Sequence, residues 1–231
     1  MKNILFILLV ALNFIGLSKE KSIFIGLKVS NGRTMFIDRY TYINQTTTDK
    51  RKLFYTGVYL NYGGTIKNLS IYSGIGYNFY QEKPNMYTIE GEFPIRVKRN
   101  YNIITIPINV DYNVNLYKQK LFFVVGVGGE LGITFKEKIK FPNNEYMPGI
   151  NLKEYKKASF AITARTGLLY NINKRFDFFA YFDFSHHVTR YLQVKGYTYP
   201  KKDGNHPYNI AGSIGFNVKF YKKTPTTEKT K

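Results

Sequence analysis

Hydrophobic and polar residues alternate along most of this chain with a period of two. From Ile104, one face carries Ile104, Ile106, Ile108, Val110, Tyr112 and Val114, and the other Thr105, Pro107, Asn109, Asp111, Asn113 and Asn115. Phe123, Val125, Val127, Gly129, Leu131, Ile133 and Phe135 oppose Val124, Gly126, Gly128, Glu130, Gly132 and Thr134. The same pattern runs from Phe160 to Tyr170, from Phe176 to Ser185 and from Tyr208 to Phe220. Three earlier segments behave alike: Ile23/Ile25/Leu27/Val29, Phe54/Thr56/Val58/Leu60/Tyr62 and Leu69/Ile71/Ser73/Ile75/Tyr77/Phe79. Successive side chains of a strand point to opposite faces, so this pattern predicts about eight half-buried strands. No helical periodicity of comparable strength competes with it.

Alternation does not say which face points inward. A water-soluble barrel keeps its apolar face inside and wets the outer one with Lys and Glu. Here the polar face is built of Gly, Ser, Thr, Asn and Ala with an occasional charge. Small residues of this kind suit a narrow lumen that holds a few charges. The apolar face is almost free of charge and has Tyr and Phe near its ends. That arrangement matches an outward apolar band about 25 Å tall with aromatic girdles, where a charge at mid-depth costs about 2–4 kcal/mol. Closure removes the unpaired strand edges that a bilayer cannot tolerate. The expected fold is all-β: an eight-stranded antiparallel up-and-down transmembrane β-barrel.

The connections fit it. Short links are expected near 63–68, 116–120 and 171–175, and long ones near 31–51, 83–99, 137–157 and 189–206. Alternation of short turns and long loops is what outer-membrane barrels show, with the short turns and both termini periplasmic and the long loops extracellular. Met1-Lys2-Asn3 followed by the apolar run Ile4 to Leu17 reads as a secretory signal peptide cut after Ser18, with Gly16 and Ser18 as the small residues at the cut. The run is short of the roughly 20 residues a spanning helix needs. The chain therefore divides into a signal peptide at 1–18, an outer-membrane barrel at 19–221 and a polar periplasmic tail at 222–231.

Composition adds two constraints. The 231 residues contain no Cys, which excludes disulfides, thiolate nucleophiles, Cys-ligated metals and a lipidated cysteine. The formal net charge is +19, which calls for an anionic neighbour. The excess is expected in the long links: Arg33, Arg39, Arg51 and Lys52 in the first, Arg96, Lys98 and Arg99 in the second, Lys138, Lys140, Lys156 and Lys157 in the third, Lys201 and Lys202 in the fourth. Loops rising through a leaflet dense in lipopolysaccharide phosphates would use such cations. The expected partners are outer-membrane lipid, lipopolysaccharide and envelope proteins. Aromatics interleaved with basic residues also suit nucleic-acid stacking, but an export signal and a barrel pattern argue against a nucleic-acid partner.

With that pattern in place, the chain resembles the Bacteroidetes-type outer-membrane β-barrel domain family, the porin-like and PorT-like small barrels. The signal peptide carries the resemblance together with Ile104-Thr105-Ile106-Pro107-Ile108 leading into Asp111-Tyr112, Val125-Gly126-Val127-Gly128-Gly129, and the closing Gly212-Ser213-Ile214-Gly215-Phe216. It covers nearly the whole mature chain and speaks to fold, since fold does not determine function. Its PorT-like branch implies a subunit of a protein secretion machinery.

Seven charges are expected in the lumen: Lys28, Asp111, Glu130, Arg165, Asp177, Asp183 and Lys219. Glu130 and Arg165 lie on adjacent strands where they could pair, and Asp177 and Lys219 share the periplasmic end. Eight strands leave an interior just wide enough for side chains to fill, so these charges read as a structural core; a small-solute conduit is the rival. Ser185-His186-His187 lies at the extracellular end of the seventh strand, with Ser185 and His187 facing inward. A lipid A-modifying enzyme would need the serine within reach of its base and an acid behind that base. Two residues along a strand separate Ser185 from His187 by roughly 6–7 Å, and only Asp183 is near, so no catalytic set is assigned. No metal-ligand spacing and no cofactor motif is present. The expected role is therefore non-enzymatic, structural or interactive, at the cell envelope.

Overall fold

The computed structural model describes residues 21–42, 45–82, 85–87, 94–96, 98–140, 158–189 and 207–221. The segments expected to form a signal peptide (1–18) and a polar tail (222–231) lie outside them, as do Lys156, Lys157, Lys201 and Lys202. Ten strands are present: β1 (Lys21–Tyr42), β2 (Gln45–Ile66), β3 (Leu69–Glu82), β4 (Asn85–Tyr87), β5 (Pro94–Arg96), β6 (Lys98–Tyr117), β7 (Leu121–Lys140), β8 (Ala158–Asn171), β9 (Phe176–His187) and β10 (Tyr208–Tyr221). Eight of them close an antiparallel barrel in the order β1-β10-β9-β8-β7-β6-β3-β2, while β4 and β5 pair with each other in the connection between β3 and β6.

The short links are tight turns at one end of the barrel. Lys67 (φ 53°), Lys118 (φ 42°) and Gln119 (φ 56°) take the left-handed conformation that reverses a twisted hairpin. Asn115 Oδ1 accepts from the Gln119 amide at 3.2 Å, and Asn173 Oδ1 accepts from the Arg175 and Phe176 amides at 2.8 and 3.0 Å. These side chains satisfy turn amides that no neighbouring strand can reach.

Three of the long links are shorter than expected. β1 and β2 pair without interruption from Lys21↔Ile66 out to Tyr42↔Gln45, so most of 31–51 is strand. β6 and β7 pair out to Lys98↔Lys140. Arg33, Arg39, Arg51, Lys52, Lys98, Arg99, Lys138 and Lys140 therefore sit on barrel strands rather than in loops, and Arg96 sits on β5. The apolar period fades at these strand ends because apolar and charged residues mix on both series there, while the backbone ladder continues.

Facing follows the expected alternation. Ile23, Ile25, Leu27 and Val29 are exposed on the outside, as are Val125, Val127, Phe178, Phe182, Ile214 and Phe216. Tyr62, Tyr112, Tyr117 and Tyr170 ring the turn end of this surface, and Phe54, Phe79, Phe135 and Phe160 the other end. Past Ile23 the next charge on the outward series of β1 is Arg33, whose guanidinium lies 5.0 Å from the centre of the Phe54 ring. Ten residue steps from Ile23 to Arg33, at about 3.3 Å each and a tilt of about 40°, rise about 25 Å. Asn31 and Thr56 face outward within this band and satisfy each other, Asn31 Nδ2 donating to Thr56 Oγ1 at 3.0 Å.

Pro107 lies within β6, a central strand, where its missing N–H breaks the ladder. The β3–β6 register accordingly skips from Ser73↔Ile108 to Gly76↔Thr105, and Ser73 Oγ donates to the Pro107 carbonyl at 2.8 Å. β7 carries a bulge: Ile103 pairs Thr134 but Asn102 pairs Lys136, which leaves Phe135 as the extra residue.

Candidate functional site: the charged plug of the lumen

All seven charges expected in the lumen face it, and four of them form one chain across it. Asp183 on β9 is the hub. Its Oδ2 lies 3.2 Å from Lys28 Nζ on β1 and accepts from Ser213 Oγ on β10 at 2.7 Å. Its Oδ1 lies 3.6 Å from Arg165 Nε on β8, which lies 3.8 Å from Asp111 Oδ1 on β6. Arg165 Nη1 also donates to the Tyr72 hydroxyl on β3. Cation and anion alternate, so each buried charge has an opposite neighbour. Isolated charges here would carry a desolvation penalty of several kcal/mol each.

Aromatic rings complete the plug. The Lys28 ammonium lies 4.3 Å from the centre of the Tyr59 ring; the Arg165 guanidinium lies 5.2 Å from that of Tyr72 and 5.7 Å from that of Tyr181. Phe179 and Tyr181 stack at 4.6 Å, and Tyr55 and Tyr80 at 5.2 Å. Reading the inner face as small and polar overlooked these rings, which occupy space left by glycines. A Cβ on Gly76 would overlap the Tyr59 ring, and one on Gly126 would overlap Asp111 Oδ1 and sit 3.0 Å from Arg165 Cγ. The overlooked signal was the inner series of β2 and β3, in which tyrosines alternate with glycines: Tyr55, Gly57, Tyr59 and then Tyr72, Gly74, Gly76.

Two expectations about the charges differ from the structure. Glu130 does not pair with Arg165: it stands in register with Pro107 and Ala161, whereas Arg165 stands in register with Asp183 and Gly126. Glu130 instead lines a small cavity of about 30 Å³ on the loop side of the plug, with Lys28, Tyr59 and Asp183. The lumen is also not filled throughout. On the turn side a polar vestibule of about 600 Å³ opens beneath Arg165, Tyr72 and Tyr181. Asp177 and Lys219 do meet, at 2.7 Å, in the wall of that vestibule. The plug therefore separates a wide turn-side chamber from a narrow loop-side one.

Ser185 and His187 meet through a third residue. Asn209 Nδ2 on β10 donates to Ser185 Oγ at 2.9 Å and lies 3.2 Å from His187 Nε2, and its Oδ1 accepts from Thr34 Oγ1 on β1 at 2.6 Å. An amide occupies the place between serine and imidazole. It cannot take the serine proton, so this arrangement knits β9, β10 and β1 together and does not activate a nucleophile. We predict that Ser185→Ala and His187→Ala leave the lipid A mass spectrum of the host cell unchanged; loss of a modified lipid A species in either variant would restore the enzymatic reading. Among the described residues no group of His, Asp and Glu is arranged to hold a metal ion.

No family model and no curated protein matches this chain. Solved structures do. Neisserial surface protein A is 12% identical, with 87% of this chain and 100% of that chain covered and a TM-score of 0.42. The outer membrane protease OmpT of Escherichia coli is 10% identical, covering 88% and 99%, with a TM-score of 0.42. Outer membrane protein H of Pseudomonas aeruginosa is 12% identical, covering 86% and 99%, with a TM-score of 0.35.

Proposed function

We propose that this chain is an integral outer-membrane barrel with a structural or interaction role at the cell envelope. One observation carries the reading: the barrel is inside out relative to a soluble one. Its outer wall is a continuous apolar band bounded by aromatic rings, and its inner wall carries the charges and amides. Only a hydrocarbon environment makes that arrangement favourable, because exposure of so large an apolar surface to water would drive aggregation. With the tight turns and the barrel ends Lys21 and Tyr221 on one side, the reading sets that side in the periplasm and the long hairpins outside. The hairpins' basic residues then lie at the level of lipopolysaccharide phosphates.

The plug argues for a stabilising or interactive role over conduction. No through-passage is needed to satisfy the lumen, and the charges that close it are paired with each other. The test is fractionation followed by purification from native outer membranes in mild detergent. The protein is expected in the outer-membrane fraction, released only by detergent, and running faster on SDS gels before boiling than after. Recovery in the soluble fraction without detergent overturns the reading. The same preparation addresses the PorT-like resemblance: a stoichiometric set of envelope proteins makes the chain a subunit of a secretion assembly, and a lone barrel with bound lipopolysaccharide makes it free-standing.

A further inference from the structure

The strand ends beyond the apolar band sort their charges by face. On β1 and β2, Arg33, Arg39, Lys50 and Lys52 fall on the register positions that continue the outward series, through the pairs Arg33↔Phe54, Met35↔Lys52, Ile37↔Lys50 and Arg39↔Thr48. The acids of the same hairpin, Asp38 and Asp49, are a register pair on the inward series. On β6 and β7 the bulge at Phe135 decides the facing. Before it, even-numbered residues of β7 such as Val124 and Gly126 are buried in the lumen. After it, Lys136 pairs Asn102, Lys138 pairs Asn100 and Lys140 pairs Lys98, all continuing the outward series of Ile104 and Ile108. Without that one extra residue the three lysines would continue the inward series. Glu137 falls inward instead, as does Glu82, which pairs Arg99.

The outward register series thus carries eight cations and no acid, whereas four acids occupy positions of the inward series with Arg51 and Arg99. Among the described residues the outward row is also one-sided. It follows β1, β2, β6 and β7, while the outward positions at the loop end of the shorter strands β8, β9 and β10 are Ala158, His186 and Tyr208. We propose that this row is a collar that binds phosphate-bearing lipid headgroups against one half of the barrel wall, immediately above the Phe54 and Phe135 rings. The proposal rests on the membrane-barrel reading and moves the lipid contact from the loop tips to the outer wall of the strands. Lysine and arginine pair with phosphate by charge-assisted hydrogen bonds, and each basic residue near an anionic membrane surface contributes about 1 kcal/mol. The acids, which would repel such a surface, hold the other set of register positions.

The test compares two double variants that remove equal charge from the same hairpins: Lys52/Lys138→Gln on the outward series and Arg51/Arg99→Gln on the inward one. Each protein, purified in mild detergent and shown to be folded by its heat-dependent gel shift, is titrated by native mass spectrometry. The probes are bisphosphorylated lipid A, dephosphorylated lipid A and phosphatidylglycerol. The outward pair is expected to weaken lipid A binding by about thirtyfold, the inward pair to leave it near wild type, and Lys52/Lys138→Arg to retain it. Binding of phosphatidylglycerol with the same dependence makes the collar a general phospholipid site; binding of lipid A alone makes it specific for lipopolysaccharide. Equal effects of the two pairs, or undiminished binding of dephosphorylated lipid A, overturn the proposal. Failure of the membrane-barrel reading is visible separately, as a wild-type protein that needs no detergent and shows no gel shift.

Discussion

Replacing Arg165 with methionine is expected to destabilise the barrel by about 3–5 kcal/mol. The guanidinium is the link between Asp111 and Asp183, with Nε 3.8 and 3.6 Å from their carboxylates, and it also donates to Tyr72. Its side chain and that of Asp111 are 5% and 4% exposed, too little for water to replace the lost partner. Methionine keeps most of the volume, so the effect is that of leaving two carboxylates facing each other in the lumen. The measurement is urea unfolding in lipid vesicles, followed by the gel shift or by tyrosine fluorescence. Neutralising both acids in the same chain, Asp111→Asn with Asp183→Asn, is expected to recover most of the loss, because residues in one network do not act additively. A triple variant no more stable than Arg165→Met would show that the guanidinium acts through packing against Tyr72 and Tyr181 and not through its charge.

An arginine at Val127 is expected to cost about 2–4 kcal/mol in a bilayer. Val127 is 62% exposed, in the middle of the outward series of β7 between Phe123 and Phe135. The substitution separates the two ways a barrel can present its faces. On a wetted surface a change at such an exposed position stays within about 0.5 kcal/mol, because the new side chain meets only water. At the centre of a hydrocarbon slab the guanidinium must drag water in or bend toward a headgroup about half a membrane away. Arginine at Met35, beyond Arg33 on β1, serves as the reference at the edge of the band. A loss at Val127 no greater than at Met35 would count against burial of this surface in lipid.

The fold was legible in the chain to the extent that each strand separates two solvents. Between Ile23 and Val29, or Ile104 and Val114, one face meets the apolar surroundings and the other the polar lumen, and the alternation reports that difference directly. Beyond Arg33 on β1 and Phe135 on β7 neither face keeps one character in sequence: Met35 and Ile37 share a series with Arg39, and Phe36 and Tyr40 share one with Asp38. The contrast vanishes there although the backbone pairing persists to Tyr42 and Lys140. The same loss of contrast hid β4 and β5. Facing of the lumen charges was readable for the same reason, since Lys28, Arg165 and Asp183 each interrupt a clear series. Their partners were not, because partnership depends on stagger between strands and on side-chain reach. Arg165 reaches over Gly126 of β7 to Asp111, while Glu130, on that neighbouring strand, is offset from it by four register pairs. The bulge at Phe135 had no local signal. Neither a glycine nor a proline marks it, and it shows only in the pairing of Asn102 with Lys136.

Lys28 and Asp183 also bear on the order in which the molecule comes together. Seven of the eight strand junctions join neighbours in the chain, four of them across short turns or near-continuous hairpins. The eighth, β1 against β10 from Ser22↔Tyr221 to Met35↔Tyr208, joins the two ends. Its loop-closure entropy is the largest in the molecule, and the contacts that reward it are the most distant in sequence. The Lys28–Asp183 bridge spans 155 residues and the Thr34–Asn209 bond spans 175. Both reach across this junction. An open sheet would leave Lys28 and Asp183 apart and hydrated; closing the last junction brings them together and expels the water around them in the same movement. Sealing the cylinder and drying its charged centre are one cooperative event, so a partly zipped chain gains little from either half of it.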